Sequence, residues 1–182
     1  MRRIKYQLHL VEFLMKEITI TINKEEVYEE VEQTTSYTGA KMEGGDDKTY
    51  DRIFTTEADR SQLERFWHES CVDVCEALKE FVQEEQNEKG SFTIFLGLSS
   101  AFDPALEPAM KKELFSFFVT NIVSKWYVFT NKKEAADFSA SAVGMLDGVK
   151  RKAYYRRKPQ RPTRQTPQPP RPPRPTQETN NA

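Results

Sequence analysis

Two histidines, His9 and His68, and two cysteines, Cys71 and Cys75, are all the imidazole and thiol chemistry that 182 residues offer. A histidine-based catalytic triad would have to draw on one of two poorly placed side chains. The chain also lacks a glycine-rich phosphate loop, a G-x-S-x-G elbow and an H-E-x-x-H pair. Its many carboxylates fall on what read as solvent faces of helices, where they serve solubility. Nor does any apolar run approach the ~20 residues of a membrane-spanning helix, so neither an integral membrane protein nor a membrane partner is expected. The expectation is a protein that is not an enzyme and needs no cofactor.

The few candidate ligands do not assemble a site on paper. His68, Cys71 and Cys75 are spaced by three and four and can share a helix face, but a fourth zinc ligand is missing nearby. The cysteines read as two small buried thiols of a reducing compartment, with His68 at the rim and no metal. A disulfide between adjacent turns of one helix would constrain little. Gly44-Gly45-Asp46-Asp47 lacks the regular acidic spacing of an EF-hand and reads as a loop tip.

What the chain does have is a sharp change in the sign of its charge. Before Lys150 there are 17 basic and 27 acidic residues; from Lys150 to Ala182 there are ten basic residues and one acid, Glu178. The ten are Lys150, Arg151, Lys152, Arg156, Arg157, Lys158, Arg161, Arg164, Arg171 and Arg174. Eight of the ten prolines lie between Pro159 and Pro175. Such a segment cannot bury enough apolar surface to offset the entropy of ordering it, so 159–182 is expected to be a disordered tail that waits for a partner. Tyr154 and Tyr155 interleave with the cations, an arrangement able to stack on bases or enter a partner groove. Arg171-Pro172-Pro173-Arg174-Pro175 fits the polyproline geometry that aromatic-lined grooves recognise.

The rest reads as one domain over 15–158. The first 14 residues mix charge with an interrupted apolar stretch and carry no small-residue cleavage site, so no signal peptide is expected. Met15 opens a cleaner segment and is an alternative start, which would make 1–14 an N-terminal extension. Ile18 to Ile22 alternates as a half-buried strand, and Asn23 with Glu26 has the spacing of a helix cap over a short helix bearing Val27, Tyr28 and Val31. From Thr34 to Thr55 the polar, Gly-containing sequence predicts an irregular arm.

Three longer helices follow. Leu63, Phe66, Trp67, Cys71, Val74, Leu78, Phe81 and Val82 recur at steps of three and four and predict a stripe running through Val82. Residues 92–98 read as a strand, either of a hairpin or paired with the Ile18 strand. Asp103-Pro104 starts the second helix, which carries Leu106, Met110, Leu114, Phe117, Phe118, Ile122 and Trp126 and is apolar nearly all round from Leu114 to Val123. Asn131 with Glu134 caps the third, predicted to run unbroken through Lys158 and stop at Pro159. The expected fold is mainly α: a three-helix bundle core built on Leu63, Phe66, Trp67, Leu114, Phe117, Phe118, Ile122 and Trp126, with a small β element and the Pro/Arg tail.

Four stretches carry a resemblance: Tyr50-Asp51-Arg52-Ile53-Phe54-Thr55-Thr56, Leu63-Glu64-Arg65-Phe66-Trp67, Ser124 to Lys132 (SKWYVFTNK), and Tyr154-Tyr155-Arg156-Arg157-Lys158-Pro159. They resemble uncharacterised proteins in the structural gene blocks of tailed phages and prophages of gut anaerobes, over roughly residues 15 to 160. Among virion components, small helical subunits with mobile arms are similar to head–tail connector (adaptor, neck) proteins, an analogy of architecture rather than of signature residues. The resemblance implies a non-enzymatic virion protein assembling as a homo-oligomeric ring through its arm and basic tail, with portal or other neck and tail proteins as partners. The alternative is a nucleic-acid-binding accessory protein that grips phosphates with the same basic segment.

Overall fold

The computed structural model describes residues 15–41, 53–88 and 90–158. The 1–14 extension, the middle of the expected arm at 42–52, and the tail from Pro159, with Arg161, Arg164, Arg171 and Arg174, lie outside the described residues.

Strand β1 (Met15–Asn23) turns directly into helix α1 (Lys24–Lys41). Asn23 makes that junction: its side-chain oxygen accepts from the backbone N–H groups of Glu25 (2.9 Å) and Glu26 (3.3 Å). These would otherwise be orphan donors of the first turn. A 3-10 turn at Glu57–Asp59 leads into α2 (Arg60–Leu78). Strands β2 (Val82–Glu88) and β3 (Ser91–Ser99) form a hairpin. A second 3-10 turn, Pro104–Leu106, opens α3 (Glu107–Thr130), and α4 (Lys132–Tyr154) follows after the single residue Asn131.

The described residues are mainly helical, with four helices and one small antiparallel sheet of order β1-β3-β2. Thus β3 is both a hairpin arm and the partner of β1. Ile18, Ile20 and Ile22 lie opposite Leu96, Ile94 and Phe92, and this one face is buried. Helix α3 is central, packing on α1, α2, α4 and β1. Its Phe118 ring meets Trp67 at 4.7 Å and Phe92 at 5.7 Å, so one side chain joins helix α2 to the sheet. Leu63, Phe66, Trp67, Leu114, Phe117, Phe118 and Ile122 are all buried.

Several expectations need correction. The core is not three helices alone, because α1 is an 18-residue helix rather than a short one. Residues 34–41, expected in the irregular arm, are its second half. They are held by burial rather than propensity: Thr35 is fully buried, its hydroxyl donating to the Val31 carbonyl (2.9 Å) and lying 3.3 Å from that of Thr55. Ile53, at the other end of the expected arm, is also buried. Helix α2 stops at Leu78, and Val82 begins a strand whose side chains, after Val82, are exposed throughout. Trp126 is half-buried, its indole N–H donating to the Ile53 carbonyl at 2.7 Å; the fully buried aromatic at that turn is its neighbour Tyr127. Helix α4 ends at Tyr154 rather than Lys158, since Tyr155 is already extended (φ −66°, ψ 131°).

Candidate interaction site

The basic segment begins inside a helix anchored along one side. Val149 and Ala153 bury the last turns of α4 against α3. Gly148 sits so close to Glu113 that a Cβ there would lie 2.7 Å from its Oε1. This approach places the Glu113 carboxylate 2.5 Å from the Lys152 ammonium. Tyr154 turns to the other side, its ring edge-on to Phe81 at 4.7 Å and its hydroxyl donating to Glu80, which pushes that hydroxyl's pKa up. The chain then runs beside the loop after β3. The Arg157 N–H donates to the Ala101 carbonyl (2.8 Å), and its guanidinium lies 3.7 Å from Asp103. That backbone bond, out of helical register, accounts for the early end of α4.

The cations therefore fall into two groups. Lys152 and Arg157 are neutralised by acids of the same body, whereas Lys150, Arg151, Arg156 and Lys158 have no ion pair among the described residues. Of the two tyrosines, Tyr154 is committed to Phe81 and Glu80. Tyr155 instead borders a shallow cleft of about 300 Å³ shared with Arg151, Lys152 and Glu113. What remains at this end is an aromatic ring beside unpaired cations, suited to a carboxylate or phosphate on a partner.

Two further surfaces stand out. At the far end of α3, Val128 and Phe129 are 51% and 66% exposed. Phe129 stacks on Phe66 (6.5 Å, 13° between planes), and a cleft of about 460 Å³ opens there beside Trp126, Arg65 and Ala58. The Ser124–Lys132 stretch points to this surface, since Trp126, Tyr127 and Phe129 are more aromatic area than one helix face can hide.

The second is a cleft of about 420 Å³ between α2, α3 and α4. The small side chains of Ala77 and Ala142 leave it open over Phe117 and Leu146, with Asp73, Glu76 and Asp147 around it. Those three carboxylates read in the sequence as members of solvent faces. Only the packing of three helices brings them together.

The cysteines lie apart from all of this. Cys71 is buried and Cys75 half-buried; burial pushes each thiol up to about 12, and a hydrogen bond from Cys75 to Glu85 adds to the effect on Cys75. His68 lies at the rim, its ring nitrogens 3.2 Å from Glu64 and 3.2 Å from Asn87. Among the described residues no group of three metal-ligating side chains converges, and no helix is long and apolar enough to cross a membrane. No family model, curated protein or solved structure matches the chain.

Proposed function

We propose that this protein is a non-enzymatic structural component of a tailed-phage virion, a head–tail connector subunit that works as one copy in a ring. The observation that carries the reading is the exposed apolar end of α3. Val128 and Phe129 project beside half-buried Trp126 and the Arg65 guanidinium. Aromatic and arginine side chains around a cleft are the composition of interface anchors, and such a patch facing water is costly unless a partner covers it. The resemblance of the Tyr50, Leu63, Ser124 and Tyr154 stretches to phage structural proteins supplies the setting. In this reading α2, α3 and α4 act as the bundle, while the 42–52 segment and the basic tail reach neighbouring subunits, the portal or other neck proteins.

The chain's cations weigh against the nucleic-acid reading. Lys152 and Arg157 are paired with Glu113 and Asp103, so two of the six cations from Lys150 to Lys158 are already committed within the body, and Tyr154 is held by Glu80. An acidic body also opposes close approach to a polyanion.

Native mass spectrometry of the full-length protein, and of Phe129→Asp, tests the proposal. Phe129 is mostly exposed, so the variant should fold, and its oligomer should fall apart to the single-chain mass. A wild-type protein that stays monomeric at every concentration, and is missing from purified virions by proteomics, would overturn the reading.

A further inference from the structure

We propose that the cleft between α2, α3 and α4 seats this chain's own C-terminal segment, residues 159–175, through its arginines. The floor is apolar, formed by Phe117 and Leu146, and Val143 at its edge is 59% exposed. Among the described residues no lysine or arginine lines the cleft. Asp147 has no ion pair among the described residues. Asp73 accepts from the Asn121 amide at 3.0 Å, with Lys125 at 3.5 Å. Glu76 pairs with Lys79 at 2.6 Å, an exposed contact one helical turn long that is worth little and is easily exchanged.

A ligand for such a cleft needs an apolar body, cationic heads and little conformational freedom to lose. Residues 159–175 have all three: eight prolines, four arginines and no acid. Proline rings offer apolar surface with no side-chain entropy to lose, and each guanidinium can meet a carboxylate with two parallel hydrogen bonds. The charge also matches at the scale of the whole chain, with acids in excess before Lys150 and cations after it.

Reach and tethering decide whose tail it is. Arg157 is tied at Ala101 and Asp103, beside the start of α3. Phe117 lies ten residues on from Glu107, roughly 15 Å along the helix. Six residues of polyproline from Lys158 cover about 19 Å, which brings Arg164 to the rim and leaves Arg171 and Arg174 to follow. A short tether gives an effective concentration on the order of mM, above that of a second copy in dilute solution, so the chain's own segment wins. The seated tail neutralises part of the body and keeps the arginines off stray polyanions until a partner displaces it. This holds whether or not the protein forms a ring.

The test places a benzophenone photocrosslinker at position 143, in place of Val143, in the full-length chain. Irradiation at sub-micromolar concentration of a 1:1 mixture of unlabelled and ¹⁵N-labelled protein should give crosslinks to 159–175 within single chains. Substituting Asp73→Asn, Glu76→Gln and Asp147→Asn together should cut the yield about fivefold or more, as should raising the salt to about 1 M. Replacing Arg161, Arg164, Arg171 and Arg174 by Gln should do the same without touching the folded body. Crosslinks confined to other segments, formed between chains, or indifferent to these substitutions would overturn the proposal. A monomer that crosslinks as described would leave it standing while removing the ring.

Discussion

The Lys24 ammonium, on a side chain only 9% exposed, lies 3.0 Å from both carboxylate oxygens of Glu64, 40 positions along the chain. Tyr28 donates to the same carboxylate at 3.1 Å, so the start of α1 is clamped to α2 at one point. Burial pushes the Glu64 carboxyl up, but hydrogen bonds from Lys24 and Tyr28 and the charge of Lys24 outweigh it and hold the group below its ordinary 4.5. A depressed carboxyl contributes stability above its unfolded pKa and loses it as pH falls through the folded one. Glu64→Gln should cost about 1–3 kcal/mol at neutral pH, less than a fully buried pair because Glu64 is partly exposed. The gap between wild type and variant in urea midpoint should narrow as pH drops below 4.5 and close in stronger acid.

Tyr127, rather than Trp126, should be the costly aromatic of α3. Tyr127→Ala empties a fully buried site and should lose about 3–5 kcal/mol, whereas Trp126→Ala at a half-buried site should lose about 1–2. Denaturant titrations of both variants give the ranking directly. The reverse order would mean that the Trp126 bond to the Ile53 carbonyl holds the segment around Ile53 in place.

Cys71 and Cys75 should resist alkylation in the folded protein. With each thiol raised from 9.0 to about 12, the thiolate fraction at pH 8 falls roughly 10³-fold, and iodoacetamide labelling should slow accordingly. Glu85→Gln removes both a hydrogen bond and a charge from Cys75 but only a charge from Cys71, so it should speed labelling of Cys75 more than that of Cys71, read by intact mass over time.

Where the folded body ends can be found by truncation. Removing 159–182 should cost at most about 1 kcal/mol, since no core residue lies beyond Ala153 among the described residues. Removing 154–158 as well deletes the Tyr154–Phe81 contact and the Arg157 tie to Ala101, and should lower the melting temperature further. Thermal melts of the two truncations should therefore separate, with the longer one close to full length.

DNA binding should be weak at about 0.15 M salt, with a log–log salt slope of roughly −3.5, because Lys152 and Arg157 are already paired and four cations of the Lys150–Lys158 set remain to meet phosphates. A tight complex with a slope near −5, abolished by replacing those cations with Gln, would promote the nucleic-acid alternative.

How much of this could be read in advance depended on whether a residue's environment was local. Ile18, Ile20 and Ile22 alternate because one sheet face is buried, and Asp103-Pro104 marks a start because the Asp103 side chain accepts from the Ala105 N–H at 3.2 Å. Both patterns are written in adjacent positions. The second half of α1 is not: Thr34, Thr35 and Thr38 are poor helix formers, kept helical by contacts from residues such as Thr55 far along the chain. Strand β2 is hidden for the opposite reason. With Gln83 to Glu88 all exposed it has no alternation to detect, and only backbone pairing to β3 defines it. The 420 Å³ cleft, whose rim carboxylates come from α2 and α4, had no local signature.

Strand β2 also limits how copies of this protein can meet. It is an outer strand of the described sheet, and sheet edges are where chains zip together without regard to shape. Here that edge carries Glu84, Glu85 and Glu88, so two such strands brought side by side would repel before their backbones could pair. Crowded copies are thus kept from fibre-like growth through this edge, so that a contact made here must rest on side-chain shape and not on backbone pairing alone.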